Sequence, residues 1–411
     1  MTAVVLIGTM DTKGSEYAWL AERVCARGAE VVTIDVGPFS DAAADVPPDD
    51  VAAAAGHDLQ RLRDANDRGA AMDAMADGAK ATLIRMYEAG DVDGVLAVGG
   101  SGGSSVASRA MQALPVGVPK LLVSTMASGD VSPYVGESDV TLMYSVVDVA
   151  GINSISEQVF DNAAAAISAM ADAHRTRRSR SGSDHLPLVG LSMFGLTTPA
   201  VDEARDELVA LGYEPLVFHA TGAGGRAMEK LAGDGLLAGV LDLTTTELAD
   251  DLVGGVLSAG PDRLTAAGGA GLPQVVSLGA LDMVNFGPRE LVPARFDERE
   301  FVVHNPTVTL MRTTREENAE LGRRIGEKLS GARGSTALVI PQGGLSGIDA
   351  EGAPFHDPAA NAALFDAVRG ALAGSRVDVI EDDRHINDRG FGRDAARRLH
   401  ALISAQDPNE E

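Results

Sequence analysis

The chain has 411 residues, 45% of them hydrophobic, 4% aromatic and 47 of them glycine, which is enough for two or three domains with sizeable cores. Its 34 Lys+Arg against 59 Asp+Glu give a formal charge of −25, so neither nucleic acid nor an anionic membrane is expected as a partner. The single cysteine, Cys25, excludes an intrachain disulfide and a Cys-based zinc site, and a buried structural thiol is expected in preference to a reactive one. The N-terminus shows no basic leader or cleavage pattern, and no apolar run reaches the ~20 residues of a membrane span. A soluble cytoplasmic protein is expected.

Val4–Thr9 is an apolar run that predicts a first strand. Ser15–Arg27 has helical spacing, with Tyr17, Leu20, Ala21 and Val24 on one face, and Gly28 supplies a stop. Val31–Val36 predicts a second strand and Arg68–Ala89 a long helix. Val92–Val98 predicts a third strand, which breaks into Gly99-Gly-Ser-Gly-Gly-Ser104 before a helix expected over Ser104–Met111. Strands at Lys120–Thr125 and Val140–Val147 and an Ala-rich helix at Asn153–Ala173 follow. This alternation predicts an α/β, Rossmann-like, doubly wound lobe over residues 1–173, its sheet mainly parallel.

Residues 174–186 begin His174-Arg-Thr-Arg-Arg and read as a flexible linker, with a basic partner patch as the alternative. From residue 187 to 411 the pattern restarts as a second Rossmann-like lobe. Leu188–Gly195 resembles the opening strand, and the helix Pro199–Leu211 ends at Gly212 as the first helix ends at Gly28. Pro215–His219 leads into Thr-Gly-Ala-Gly-Gly225, and Gly239–Thr244 parallels Gly94–Gly99. Further strands are expected at Gln274–Leu278, Phe301–His304, Ala337–Ile340 and Val377–Ile380, with helices at Arg315–Leu329, Asn361–Leu372 and Arg393–Ser404. Two such lobes, facing each other, predict a cleft, with ligands at the carboxyl ends of the strands.

Four segments could carry chemistry. The first strand exit offers hydroxyls at Thr9 and Thr12, a carboxylate at Asp11 for a ligand group or metal, and a scarce lysine at Lys13, with Ser15 as a candidate N-cap. The glycine run Gly99, Gly100, Ser101, Gly102, Gly103, Ser104 lets backbone amides approach an anion, phosphate above all. It is neither a Walker A loop nor a dinucleotide fingerprint, because no Gly-Lys-Ser/Thr closes it and Ser105 stands where the third glycine would. The alternative is a tight strand–helix turn. Ser124, Thr125 and Asp130 follow the next strand, where Asp130 could hold a metal-bound water or simply form an Asx-type turn. In the second lobe, Pro341–Asp349 is another glycine-rich exit. Glu381, His385 and Asp388 could serve acid–base work or a hard metal, or form a solvated acidic loop.

Taken together, "IGTMDTKGSE", "DRGAAMDAMADGA", "GVLAVGGSGGSS", "KLLVSTMASGD", "YVGESDVTLMYSVVDVAGIN", "PQGGLSGIDAEGAPFHD" and "HINDRGFG" occur in this order. The chain resembles the uncharacterised bacterial, archaeal and plant family similar to the N-terminal ATP-binding domain of the tomato mosaic virus resistance protein. The resemblance spans about residues 2–395. It implies two Rossmann-like lobes, a homodimer, and ATP with Mg²⁺ on the first lobe. It places Thr9, Asp11, Thr12, Lys13 and Gly100–Gly103 against the nucleotide, with Arg68 as a bidentate phosphate donor. It also implies a TIM-barrel enzyme as a separate partner. The antiviral role of the plant relative does not carry over. The leading expectation is therefore an ATP-binding two-lobe protein. The rivals are a metabolic enzyme using the cleft on a small phosphorylated or carboxylated substrate, and a regulatory or scaffolding subunit.

Overall fold

The computed structural model describes residues 1–179 and 185–406. The chain forms two compact units, residues 1–183 and 184–411. In the first, the elements run β1 (Thr2–Gly8), α1 (Met10–Cys25), β2 (Ala29–Asp35), α2 (Pro48–Ala54), α3 (Leu59–Ala65), α4 (Arg68–Ala89), β3 (Gly94–Gly99), α5 (Ser101–Gln112), β4 (Lys120–Ser124), α6 (Ser132–Val135), β5 (Thr141–Tyr144) and α7 (Ser154–Arg178). The five strands are parallel, in the order β2-β1-β3-β4-β5. Strands such as Val95-Leu-Ala-Val98 are apolar without alternation because helices cover both faces, and their side chains feed two core clusters.

The crossover order places β1 next to β3, and this is where the sheet's winding direction reverses. Their pairing ends at Ile7↔Ala97, while β1 continues with β2 to Gly8↔Asp35 and β3 continues with β4 to Gly99↔Ser124. The Tyr17 hydroxyl from α1 fills the missing rung. It accepts the Val98 N–H at 2.9 Å and lies 2.5 Å from the Ile7 carbonyl and 2.9 Å from that of Val98. The ring lies against Gly8, where a β-carbon would come within 1.9 Å of it. Burial raises the Tyr17 pKa further above its ordinary value, so the phenol stays a donor.

Helix starts differ from expectation. α1 begins at Met10 and not at Ser15, because buried Asp35 accepts the Met10 N–H at 3.0 Å and Thr9 occupies the N-cap. Ser15 is therefore inside the helix and donates to Glu16. Likewise α5 begins at Ser101, so the glycines form its first turn. Cys25 is exposed, correcting the buried expectation, since α1 buries Tyr17, Leu20 and Val24 on another face. His174–Arg178 belong to α7 and not to a flexible linker, while residues 180–184 of that segment lie outside the described residues. Buried Lys120 bonds the Pro115 and Val118 carbonyls and Asp139, so this scarce lysine is structural.

The second unit runs β6 (Leu188–Met193), α8 (Thr198–Ala210), β7 (Glu214–His219), α9 (Ala223–Gly233), β8 (Gly239–Thr244), α10 (Glu247–Val253), α11 (Ala266–Ala270), β9 (Gln274–Gly279), β10 (Met283–Phe286), β11 (Phe301–Asn305), β12 (Val308–Arg312), α12 (Arg315–Ser330), β13 (Thr336–Pro341), α13 (Pro358–Leu372), β14 (Asp378–Asp382) and α14 (Phe391–Ser404). Six parallel strands stand in the order β14-β13-β9-β8-β6-β7, which repeats the winding of the first unit with one strand added. Phe301–Asn305 is a strand as expected, but it belongs to a separate antiparallel sheet, β10-β12-β11. No helix of the described residues is long and apolar enough to cross a membrane.

The second unit buries a set of acids around the start of its antiparallel sheet. Asp282 accepts the Ser346 hydroxyl at 2.8 Å, and Asp349 accepts the Leu345 N–H at 2.9 Å and the Asn361 amide at 2.7 Å. Burial, aided by the neighbouring Asp349 charge, pushes Asp282 up to about 7, and burial does the same to Asp250 beside Asn285.

The roles of Tyr17 and of the buried acids are both testable. Tyr17→Phe strands the Val98 N–H and is expected to cost about 2 kcal/mol by urea unfolding, with an unchanged midpoint contradicting the role given to the hydroxyl. The folded second unit holds protons on Asp282 and Asp250 that the unfolded chain releases above its ordinary carboxyl range. Stability is therefore lost as pH rises from about 4 to about 7, on the order of 4 kcal/mol per group at most. Asp282→Asn should flatten that fall in urea midpoints measured across the window, and an identical slope in the variant contradicts the assignment.

Candidate functional site

In an open parallel sheet the crevice for a ligand lies where winding reverses, beyond the carboxyl ends of the strands. In the first unit this is the β1/β3 divergence held by Tyr17. Two loops leave it, Gly8-Thr9-Met10 into α1 and Gly99-Gly100-Ser101 into α5. Gly100 caps α5 without a side chain, and Ser104 N–H makes the first bond back to the Gly100 carbonyl at 2.9 Å. The amides of Ser101, Gly102 and Gly103 precede that bond and form the open first turn. Ser101 and Gly102 are exposed.

Several sequence-predicted residues converge here. A β-carbon placed on Gly103 would lie 3.7 Å from Thr9 Oγ1, one on Gly100 3.8 Å from Thr125 Oγ1, and one on Gly102 3.7 Å from Met72 Cε. Arg68 stands one turn before Met72 on the same face of α4, is exposed and makes no ion pair among the described residues. Thr9 and Thr12 hydroxyls are 3.2 Å apart. Lys13 marks a kink in α1 at φ −132° and ψ 19°. Asp11 is exposed and leans over Gly37, whose β-carbon position is 2.7 Å from Asp11 Oδ1. Asp35 beneath it is pushed up by burial, with the Asp11 charge adding to the effect.

Ser104 and Ser124 lie under the loop. Both are buried, with their hydroxyl oxygens 2.6 Å apart, and Ser124 also accepts the Met126 N–H at 3.0 Å. They tie the β3 exit to the β4 exit and so shape the cradle from below. Asp130 is exposed, and its Oδ1 accepts the N–H and hydroxyl of Ser132 at 3.0 and 2.7 Å, an Asx-type turn that holds its carboxyl below the usual range.

In the second unit the acidic loop is bound to its own surroundings. Glu381 takes a bidentate pair of bonds from Arg369 at 2.7 and 2.9 Å, which lowers its pKa. His385 Nδ1 accepts the Asn387 N–H at 3.0 Å, so Nε2 is the protonated nitrogen and donates to the Ser346 carbonyl at 2.8 Å. Asp388 accepts the His385 main-chain N–H at 2.9 Å. No bond joins these carboxylates to the imidazole. Among the described residues no group of three or more His, Cys, Asp or Glu is arranged to hold a metal ion.

The crevice of the second unit, between β6 and β8, is filled from within. Ser192 Oγ donates to Asp242 at 2.6 Å and accepts the Thr244 N–H at 2.9 Å, and the Thr197 and Thr244 hydroxyls meet at 2.8 Å. Fully buried Arg263 pairs with Asp242, with Glu247 at 2.7 Å and with Glu229 at 3.1 Å. The glycine turn Thr221–Gly225 cradles an anion, and that anion is the protein's own Glu247, which accepts the Gly222 and Gly225 N–H groups at 2.6 and 3.1 Å. A β-carbon on Gly225 would fall 2.0 Å from the Glu247 carboxylate. Arg263 and Glu247 were not among the sequence candidates. The available signal was Glu247 directly after a strand, at the place where the first unit carries its glycines.

Comparison with known proteins agrees with this organisation into two units. Residues 2–176 match the N-terminal domain, and residues 186–403 the C-terminal domain, of the uncharacterised protein family UPF0261. A UPF0261 protein from Clostridium tetani is 47% identical over 398 residues, covering 96% of this chain and 98% of that protein. The ToMV resistance protein Tm-1(GCR237) of Solanum lycopersicum is 40% identical over 407 residues, covering 94% of this chain but 54% of the tomato protein. The susceptible counterpart tm-1(GCR26) shows the same 40% identity, so resistance is not what the similarity tracks. With each unit matching one of the two family domains, the chain belongs to the UPF0261 family.

Proposed function

We propose that the first unit binds ATP as its Mg²⁺ complex, with the phosphates on the open first turn of α5. The observation that carries this reading is the contrast between the two crevices. Glu247 opens α10 after β8, the position that α5 holds after β3, and turns its carboxylate into the Gly222 and Gly225 amides, whereas the first turn of α5 presents Ser101, Gly102 and Gly103 amides to an exposed surface. Such a turn favours anions through its free N–H groups and the helix dipole. Thr9 and Thr125 hydroxyls flank it, and Arg68 supplies a guanidinium with no competing carboxylate partner among the described residues.

The acid set suits a hard cation held mainly through water. Asp11 is exposed and free of ion pairs among the described residues, whereas Asp130 is engaged by Ser132. Asp11 would hold Mg²⁺, which neutralises phosphate charge when bound. The chain spans about half the length of the tomato relative, and a separate barrel enzyme is the partner that the family resemblance implies.

Thermal unfolding tests the nucleotide reading. At about a hundred times Kd, ATP–Mg²⁺ is expected to raise the Tm of the transition that unfolds the first unit by about 5 °C. Gly102→Asp should abolish the shift, because it sets a negative charge in the cradle while its β-carbon meets nothing closer than 3.7 Å. Arg68→Ala should reduce it. No shift with ATP, ADP or inorganic phosphate overturns the proposal.

A further inference from the structure

A cavity lies within the second unit, bordered on one side by Thr221 at the start of the glycine turn. It has a volume of about 260 Å³ and opens where the ends of β6 and β7 meet the antiparallel sheet. Phe194, Leu196, Leu257, Val308 and Leu310 form its apolar walls. Phe194 and Leu310 belong to a core cluster with Met283 and Phe355, so the floor is rigid.

The ionisable groups at its mouth are of one kind. His219 and His304 are exposed imidazoles, and His219 stacks at a tilt on Phe194 with ring centroids 5.7 Å apart. Asn305 Oδ1 accepts the Thr307 N–H and hydroxyl, both at 2.9 Å, which fixes the amide and leaves its nitrogen as a donor. Among the described residues no Asp or Glu lines the cavity, in a chain with 59 of them. The polar groups that line it are imidazoles, a hydroxyl and an amide, and none of them is a carboxylate.

We propose that this cavity binds a small monocarboxylic acid with a ring-sized apolar body. A dry cavity of ~150 Å³ holds benzene, so this one has room for a ring, a short linker and a carboxylate. The apolar walls take the ring, and the imidazoles and the Asn305 amide face the carboxylate. Because the site shares no residue with the nucleotide cradle, the two readings fail independently.

Calorimetric titration of the full chain with phenylacetate and with its neutral isostere phenylacetamide tests the proposal. Phenylacetate is expected to saturate one site, with the amide about tenfold weaker. His304→Ala and His219→Ala, at exposed positions that leave the core intact, should each weaken phenylacetate by about three- to tenfold. Val308→Trp should fill the cavity and abolish binding, while Gly102→Asp should leave it unchanged. Absence of saturable binding overturns the proposal, as do equal affinities for acid and amide, histidine variants without effect, or binding that survives Val308→Trp.

Discussion

The geometry of the first unit depends on one phenol. Tyr17 substitutes a side-chain oxygen for the main-chain rung that β1 and β3 would otherwise form, and Gly8 leaves the space for its ring. The strands can therefore separate just before their ends without stranding the Val98 amide. That separation creates the crevice, and the two loops leaving it carry Thr9 and the glycine turn. A residue buried in the core thus decides where backbone is left open at the end of the sheet.

The second unit repeats the strand order and treats its crevice in the opposite way. Ser192 takes the bridging role from within a strand, and Asp242, Thr244 and Arg263 close the space behind it. The glycine turn that follows β7 binds the carboxylate of Glu247, which stands after β8 where the first unit has its glycines. Burying Arg263 with three carboxylates works because each partner is hydrogen-bonded, and together they outweigh the desolvation of the guanidinium and raise its pKa. One unit fills its crevice from within, and the other leaves the first turn of α5 open.

Much of this fold was readable in the sequence because its strands are uninterrupted apolar runs. Arg68–Ala89 matches α4 residue for residue, and Gly28 and Gly212, which follow the first and eighth helices, have φ of +89° and +88°. Helix starts were displaced where propensity and tertiary structure disagree. Glycines at 102 and 103 read as loop, and Met10 needed Asp35, twenty-five residues away in sequence, to take its amide. The short strands Met283–Phe286 and Val308–Arg312 were not predicted, and their sheet turned Phe301–Asn305 from a parallel strand into an antiparallel one. Of the candidate site, the glycine turn, Thr9 and Thr125 were legible as chemistry after a strand, and Arg68 only through the family resemblance. The network around Arg263 was not, because charged residues read as surface until a fold brings them together.

In the proposed function the open first turn of α5 receives the phosphates, while the start of α10 stays closed by its own Glu247. Amide chemical-shift mapping during titration with ATP–Mg²⁺ tests it most directly. The largest shifts are expected at Ser101–Ser104 and at Thr9–Lys13, with Thr221–Gly225 and Thr244–Glu247 unmoved. Shifts centred on the second unit's glycine turn, or no shifts at Ser101–Ser104 at saturating nucleotide, would contradict the account.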